Sequence, residues 1–161
     1  MPHAHAIQPA EPDLDEHVLR TAFGRFATGV AFVTTEVDGT PLGLVVSSFA
    51  AVSLRPPLVS FCPSRESITW QRMRRAGRFT VHVLAARHGG FARRAAPPGA
   101  DRFADPDVLR DALAAIQCDL AAEHAAGDHW IVVGRVRRLR VASDARPLVY
   151  FAGRFGGFEP H

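Results

Sequence analysis

The sequence of 161 residues contains no lysine, so its 19 basic side chains other than histidine are all arginines. It has only two cysteines, Cys62 and Cys118, which is too few for a disulfide framework and is typical of free thiols in a reducing cytoplasm. No apolar run approaches the roughly 18 residues needed to cross a bilayer. The start of the sequence also lacks the basic and apolar segments of a secretory signal. We therefore expect a cytoplasmic protein with no membrane partner.

Motifs for several kinds of site are absent as well. The eight histidines show no paired spacing of the kind that zinc sites use, so no metal site is expected. Cys62 has no nearby base in the sequence, which favours a packed thiol over a nucleophile. There is no Gly-x-Gly-x-x-Gly fingerprint of a Rossmann-type dinucleotide site.

The positive charge is modest, with a formal net charge of +3. Arginine clusters at residues 72–75 and 135–140 have two interpretations: a nucleic-acid footprint, or the solvated faces of a helix and a strand. The second is favoured because no aromatic platform or recognition motif accompanies the clusters. We expect no nucleic-acid partner. Some of the arginines are better interpreted as contacts for an anionic small ligand.

The composition fits one globular domain. Hydrophobic residues make up 47% of the chain, and its length suffices to bury a core without disulfides or structural metal. Residues 1–12 carry three prolines and no periodic pattern, which predicts a mobile tail. The domain is therefore expected over residues 13–161.

A hairpin is predicted at the centre of this domain. β-branched residues at 30–35, the turn pair Asp38-Gly39 and a second apolar run over residues 42–49 are typical of two antiparallel strands. Within the second run, Gly43 would let a flat ligand approach the backbone, and Ser47-Ser48 would supply donors. We expect a small ligand beside this strand; the alternative is a strand that ends in a polar turn.

Hydrophobic periodicity and the residues that cap helices or form turns predict the other helices and strands. Helical spacing indicates a helix from Leu14 to about Thr28 with Asp13 as its cap. In the strand over residues 78–84, the side that carries Thr80 and His82 is expected to face water or a ligand. Further strands are predicted over residues 58–62 and 147–151, and further helices over residues 63–76 and 87–96.

The alanine-rich stretch at residues 112–126 is ambiguous, because alanine favours a helix. Its apolar residues nevertheless alternate at Ile116, Cys118 and Leu120, which is the period of a strand. We therefore predict a strand over residues 113–124, paired antiparallel with residues 129–141.

Several separated segments together match one pattern in order. They are Phe26-Ala27-Thr28-Gly29-Val30, Ser47-Ser48-Phe49 with Val52-Ser53-Leu54 and Pro56-Pro57-Leu58, Asp101-Arg102-Phe103, Gly127-Asp128-His129, and Pro147-Leu148-Val149-Tyr150-Phe151. In these motifs the sequence resembles the short flavin reductases, which are FMN-binding split-barrel enzymes and the small component of two-component flavin monooxygenases. The resemblance covers residues 19–158.

The resemblance implies a fold, an activity and partners. The fold is mainly β with flanking helices, a six-stranded antiparallel split β-barrel of Greek-key type, and the family is normally a homodimer with flavin near the subunit interface. The activity is NAD(P)H-dependent reduction of FMN or FAD by hydride transfer. The reduced flavin passes to a separate oxygenase.

The resemblance also implies site residues. It places Val45, Val46, Ser47 and Ser48 along the isoalloxazine ring and ribityl chain, and Ser53 and Leu54 continue that wall. It places Cys62, Ser64, Arg65 and Ser67 at the ribityl phosphate, and it includes Arg102 and Phe103 among the cofactor-binding residues. It places His129 at the nicotinamide. Hydroxyl and guanidinium donors at the start of a helix suit a phosphate, although capping by Ser64 or Ser67 is the alternative. For His129, the implied role is to orient the hydride donor and help with the proton; the alternative is a half-buried turn histidine.

The sequence departs from the family pattern at three places. Leu44-Val45-Val46 stands where a polar residue is common, Arg55 where aspartate is common, and His82 where asparagine is common. The departures favour flavin recognition over tight flavin retention. They also leave Arg55 and His82 as candidate contacts for the phosphate or adenylate end of a ligand.

Two other functions remain open from the residues. One is an FMN-binding electron-transfer or flavin-carrier protein without a productive NAD(P)H site, and the other is a basic β-barrel that binds a nucleic acid or an anionic metabolite. The sequence does not choose between FMN and FAD or between NADH and NADPH. Selection of the adenine or 2′-phosphate is expected from loop arginines such as Arg87, Arg93 and Arg94.

Overall fold

The computed structural model describes residues 14–142 and 145–161, and it contains ten strands and four helices within them. The predicted tail at residues 1–12 and the predicted cap Asp13 lie outside the described residues. The helices are α1 (Glu16–Phe23), α2 (Ile68–Met73), α3 (Gly89–Ala95) and α4 (Asp107–Arg110), with 3-10 turns at Arg74–Ala76 and Ala86–His88. The strands are β1 (Thr28–Gly29), β2 (Ala31–Val37), β3 (Thr40–Val46), β4 (Ala50–Leu54), β5 (Pro57–Phe61), β6 (Arg78–Val83), β7 (Ala114–Ala126), β8 (His129–Val141), β9 (Leu148–Phe151) and β10 (Arg154–Gly157).

Most of the strands form one antiparallel sheet in the order β3-β2-β6-β7-β8-β5-β4. The mainly β class with few helices is confirmed, but the sheet has seven strands where six were expected. One strand that the sequence analysis does not predict is β4, which contains the motif residues Val52-Ser53-Leu54. β1, β9 and β10 form a second, three-stranded antiparallel sheet.

Both predicted hairpins are confirmed. Asp38 and Gly39 adopt positive φ angles of 50° and 75°, and β2 and β3 pair from Val37 with Thr40 to Ala31 with Val46. The alanine-rich stretch is strand β7, which pairs with β8 along its length. Its pairing with both β6 and β8 explains why alternation predicted it better than helix propensity did.

Helix α1 is shorter than predicted and packs against little of its own chain. Asp15 caps it by accepting from the backbone N–H of His17 at 2.7 Å, and it ends at Phe23, well before Thr28. None of its residues is buried, although it carries Leu14, Val18 and Phe23 as exposed apolar side chains on or beside it. Leu14, Val18 and Phe23 are 51–72% exposed within the described residues.

The main sheet packs against a separate core on each of its two faces. On one face, α2 inserts Trp70 and Met73 against Phe61 and Phe79. On the other face, α3 inserts Phe91 against Phe32. Consecutive residues of a strand point to opposite faces, so Val45 of β3 packs on the second core and Val46 on the first.

Trp70 and Arg74 anchor helix α2 to strand β7. The indole Nε1 of Trp70 donates to Glu123 Oε1 at 2.9 Å, and Arg74 forms an ion pair with the same carboxylate at 2.6 Å. The Glu123 side chain is largely buried in this pair. The helix is thereby fixed across the first core.

Gly43 is a packing residue. A Cβ built on it would lie 2.7 Å from Cζ of Phe32 and 3.3 Å from Cζ of Phe103. The expectation that a ligand approaches the backbone at Gly43 is therefore wrong, because the Phe32 ring already fills that space. The glycine allows the second core to pack tightly on β3.

His82 is buried between β2 and the α4 segment, so the expectation that this position faces water or a ligand is wrong. The His82 side chain is 8% exposed and lies beside the ring of Phe32, and its Nε2 lies 3.0 Å from the hydroxyl oxygen of Thr34. Burial is the main reason that its pKa falls to about 4, and the charge of Arg140 lowers it further. His82 is therefore neutral at neutral pH.

Replacement of Gly43 by alanine should destabilise the fold. The added methyl group must displace the Phe32 ring, and overpacking of this kind costs about 1–3 kcal/mol. Urea unfolding of Gly43→Ala measures the loss. The matched control is Gly29→Ala, where nothing lies within 4 Å of an added Cβ; an equal loss in both variants would contradict the packing role.

Acid should destabilise the protein through His82. Its folded pKa of about 4 lies below the ordinary 6.5, so the unfolded chain takes up the proton more readily. Stability is therefore lost as the pH falls from about 6.5 to about 4, by about 3 kcal/mol in total. His82→Asn should lose that much less stability than the parent between pH 7 and pH 4, as measured by urea unfolding.

The exposed histidine His124 supplies the control for this experiment. His124→Asn should leave the pH dependence of the parent unchanged. If His82→Asn shows the same pH dependence as the parent, the buried histidine does not couple folding to pH.

Candidate functional site

A backbone seam brings the turn after β5 beside the start of β8. The N–H of Arg65 donates to the carbonyl of Asp128 at 2.9 Å, and the N–H of Trp130 donates to the carbonyl of Pro63 at 2.9 Å. Between these bonds, Ser64 and His129 form an antiparallel bridge. Residues about 65 positions apart in the sequence thus face one ligand-sized space.

That space is a groove of about 410 Å³, which we call the serine groove. Its volume falls in the range of small-molecule sites. The end of β3 forms one wall and the seam forms the other. It is lined by Leu44, Val45, Val46, Ser47, Ser48, Cys62, Pro63, Ser64, Ser67 and His129.

Strand β3 is an edge strand of the main sheet, so only one of its edges is paired, with β2. In an edge strand, alternate N–H and C=O groups point away from the neighbour. The end of β3 can therefore offer main-chain donors and acceptors together with the apolar side chains of Leu44 and Val46.

The serine hydroxyls already accept local hydrogen bonds. Ser48 Oγ accepts from the N–H of Cys62 at 2.9 Å, Ser64 Oγ from that of Glu66 at 3.2 Å, and Ser67 Oγ from that of Trp70 at 3.1 Å. The capping role of Ser67 is thus present in the structure. Because a hydroxyl can accept and donate at once, each O–H can still donate to a ligand.

His129 stands at the mouth of the serine groove. Its Nδ1 lies 2.7 Å from Asp128 Oδ1, and its side chain is about half exposed. This hydrogen bond holds the pKa of Asp128 below its usual range. With Nδ1 donating to the carboxylate, Nε2 is the ring nitrogen left to contact a ligand.

Cys62 lines the same groove as a neutral thiol. Partial burial raises the pKa of Cys62, and the structure pairs neither Cys62 nor Cys118 in a disulfide. Burial also raises the pKa of Cys118 to about 12, with the charge of Asp119 as a second cause. Neither thiol has the electropositive setting of a reactive cysteine.

A second groove, which we call the arginine groove, lies on the other side of the β3 end. It has a volume of about 360 Å³ and shares three residues, Val45, Val46 and Ser47, with the serine groove. Its other lining residues are Val30, Arg93, Ala96, Pro97, Tyr150, Gly153 and Phe155. The end of β3 is therefore a wall common to both cavities.

The serine groove brings together seven of the predicted cofactor-binding residues and His129, but the other five lie outside it. Ser53 and Leu54 are on β4, where Leu54 is 88% exposed. Arg65 points away, with Nη1 donating to the carbonyl of Gly127 at 3.2 Å and its guanidinium over the Trp130 ring.

The remaining two residues, Arg102 and Phe103, hold the loop between α3 and α4. Arg102 donates to the carbonyls of Ala95 and Pro97, at 2.8 and 3.0 Å, and burial lowers its pKa. Phe103 packs against the ring of Phe32 in the second core. Neither residue lines the serine groove or the arginine groove.

Comparison with known proteins identifies the family. A model of the flavin reductase-like domain matches residues 23–159. The chain belongs to the flavin reductase-like family. It is 40% identical to the reductase subunit HsaB of a flavin-dependent monooxygenase from Rhodococcus jostii, over 91% of this chain and 80% of that protein.

The chain is also similar to two other flavin-reducing proteins. The FMN reductase (NADH) SmoA from Agrobacterium fabrum is 38% identical, over 99% of this chain and 94% of that protein. The structure of the NADH:FAD oxidoreductase SgcE6 from Streptomyces globisporus, in complex with NAD and FAD fragments, superposes with a TM-score of 0.83 at 31% identity. This superposition covers 91% of this chain and 94% of that one.

The residues present in the grooves fit a flavin. Leu44, Val45 and Val46 offer an apolar wall to a flat ring system, while the unpaired edge of β3 and the serine hydroxyls can donate to its polar edge. The two cavities on either side of the β3 end have volumes of about 410 and 360 Å³, so each falls in the range of small-molecule sites.

Sequence reasoning missed part of the lining. Val30, Tyr150 and Phe155 belong to matched or aromatic-rich segments, yet no site role was given to them. Arg93 was named only among loop arginines without a position. The signal available in the sequence was the cluster of glycines and aromatics over residues 153–158, which marks a segment where backbone and rings approach closely.

Proposed function

We propose that this chain is an NAD(P)H:flavin oxidoreductase that reduces FMN or FAD and supplies the reduced flavin to a separate oxygenase. The observation that carries this proposal is the serine groove, in which an oriented histidine faces an apolar strand end and a set of hydroxyls. Family membership supports it, as do relatives that are reductase components of monooxygenases.

When bound, the flavin supplies the electron sink that accepts a hydride from nicotinamide. The chain itself holds and orients the reactants. Val45 and Val46 form the wall for the ring, and Ser47 and Ser48 supply donors at its polar edge. Ser64 and Ser67 contribute neutral hydroxyl donors on the opposite wall.

His129 orients the nicotinamide donor. Asp128 fixes the ring by accepting from Nδ1, so Nε2 is held as an acceptor for the carboxamide N–H or for a proton at that side of the groove. A fixed donor geometry favours hydride transfer because the reacting atoms must approach within about 3–3.5 Å.

The same proposal includes a closed six-stranded barrel, with the serine groove where β3 and β5 end. Six strands, β3-β2-β6-β7-β8-β5, run in unbroken order, and the hydrogen bond from the Cys62 N–H to Ser48 Oγ links the two ends of this set. β4 lies outside it. This arrangement supports the six-stranded split barrel that the family resemblance implies.

We also place the protein in the cytoplasm as a homodimer. No helix within residues 14–142 and 145–161 has the length and apolar character to cross a membrane, and both thiols are free. The apolar face of α1, with Val18 and Phe23 exposed and Phe26 just beyond it, lacks a partner in the described chain. A second copy is the occupant proposed for this face.

The first test is NADH and NADPH oxidation by the purified protein, with and without FMN, FAD or riboflavin. In His129→Ala, we expect kcat/KM for the nicotinamide donor to fall about tenfold or more, because one oriented hydrogen bond is lost. Flavin binding, followed by quenching of flavin fluorescence, should be retained.

His124→Ala is the matched control, since His124 is an exposed histidine on β7 that lines neither groove. Unchanged turnover in His129→Ala would refute the role of His129. Flavin binding without any nicotinamide oxidation by the parent would instead support the electron carrier. If the parent neither binds flavin nor oxidises nicotinamide, both functions are refuted.

The homodimer is tested at α1. Val18→Asp should shift the protein from dimer to monomer, because it places a carboxylate in the apolar face. Light scattering coupled to size-exclusion chromatography measures the mass. Arg20→Asp places the same carboxylate on the charged side of the helix and should remain a dimer; a parent protein that is monomeric at micromolar concentration would contradict the proposal.

A further inference from the structure

Glu123 is a largely buried carboxylate that the proposed function does not use. Only 12% of its side chain is exposed, and it accepts from the indole Nε1 of Trp70 at 2.9 Å and from Arg74 at 2.6 Å. Movement of the Arg74 guanidinium group would leave a buried charge without its partner, which is costly. The guanidinium group is therefore held at one place beside β7.

Arg74 also lies over the ring of Trp130, the residue that follows His129. Its guanidinium carbon is 5.3 Å from the ring centroid, and the guanidinium carbon of Arg65 is 5.2 Å from the same centroid. At these distances a guanidinium group is attracted to the face of an indole ring. The ring is also half-buried against the first core. We call the side chains of Arg65, Arg74 and Trp130 the tryptophan clamp.

The strand register places the clamp behind the histidine. Glu123 and Ala125 of β7 pair with Val132 and Trp130 of β8. Glu123 and Trp130 therefore share the face of the sheet that carries the first core. His129 precedes Trp130 and points to the other face, where it lines the serine groove. None of the three clamp side chains lines that groove, so they can affect a ligand there only through the backbone that carries His129.

The turn that carries His129 lies at the exposed end of the β7-β8 hairpin. Gly127, Asp128 and His129 are all exposed, and Gly127 has a φ of 61°. The two main-chain bonds of the seam hold this turn, and Arg65 adds a bond from Nη1 to the carbonyl of Gly127 at 3.2 Å. Hydrogen bonds at an exposed strand end open more readily than those of a core. Arg65 therefore joins the turn to the clamped ring.

We propose that Trp130 is a positioning residue for hydride transfer: held by Arg65 and Arg74, it keeps the seam closed and thereby fixes His129 in the serine groove. The inference rests on the proposed function, because it requires the role given there to His129. It also separates positioning from packing. A packing residue contributes whether or not His129 is present, whereas a residue that acts through His129 contributes nothing once that side chain is removed.

The test is a double-mutant cycle on kcat/KM for NADH, with FMN as acceptor. Trp130→Leu keeps apolar bulk against the first core and removes the ring. It should lower kcat/KM about tenfold in the parent, because a small misplacement of an orienting group is costly for hydride transfer. In the His129→Ala background, it should change kcat/KM by less than about twofold. Trp130→Phe should recover part of the parent value, since its ring still offers a face to both guanidinium groups.

A second measurement needs neither flavin nor nicotinamide. Amide hydrogen exchange in the ligand-free protein shows how often the seam opens. In Trp130→Leu, the amides of residues 65 and 130 should exchange about tenfold faster than in the parent, because the contacts with two guanidinium groups are lost. The amides of β6 should keep their parent rates. Faster exchange in β6 as well would indicate a general loss of stability and would count against positioning.

Two neighbouring arginines test the clamp itself. Arg74→Leu should lower kcat/KM and speed exchange at residues 65 and 130, as Trp130→Leu does. Arg75→Leu is the matched control, because Arg75 is the next residue along the chain and is exposed. It should match the parent in both measurements. Equal behaviour of the two arginine variants would exclude the clamp.

The outcomes distinguish this inference from the proposed function. The inference is overturned if Trp130→Leu keeps the kcat/KM of the parent, or if it lowers kcat/KM by the same factor with and without His129. In both cases a parent that oxidises NADH still supports the proposed function. A parent that oxidises no NADH would refute the proposed function itself, and this inference with it.

Discussion

The site depends on the backbone seam between the turn after β5 and the start of β8. Two N–H to carbonyl bonds hold Pro63 and Arg65 against Asp128 and Trp130, and the Ser64–His129 bridge lies between them. Main-chain bonds of this kind do not depend on the side chains that they position. The seam thus sets the distance between the histidine and the serine-bearing walls whatever side chains the grooves carry.

Strand β3 connects the two cores to the two grooves. Its inner residues are fixed by packing, and Gly43 accommodates the Phe32 ring so closely that no Cβ fits. Its last residues lie beyond this packed region, with one edge unpaired. The strand is rigid, and both sides of its end are open to a cavity. It can therefore offer apolar surface and main-chain donors to a flat ligand without moving.

Because the sequence has no lysine, its basic side chains other than histidine all carry a planar guanidinium group. The fold places these guanidinium groups in different surroundings. Arg65 and Arg74 lie against Trp130, and Arg102 binds two carbonyls of the loop after α3. These guanidiniums shape the protein. Arg93 is different because its surroundings are a cavity with aromatic and apolar walls, and this difference is a property of position rather than of sequence type.

The sequence by itself determined the mainly β class, the hairpin at Asp38-Gly39, the pairing of residues 113–124 with 129–141, and the family. These features depend on local period, turn chemistry and ordered motifs, which are readable along the chain. The sequence also singled out Ser47 and Ser48 as donors beside a small ligand, while most other residues of the serine groove were implied only by the resemblance.

Only the tertiary structure decided which residues share a cavity. Gly43 and His82 had been interpreted as ligand-facing positions, yet the second core covers both, since strand alternation shows that two faces exist and not what packs on each. Likewise, Arg65 and Arg93 are both exposed arginines near loops. Arg65 contacts Trp130, whereas Arg93 lies beside a cavity. Both surroundings are formed by segments far apart in sequence, so packing sets the difference between the two arginines.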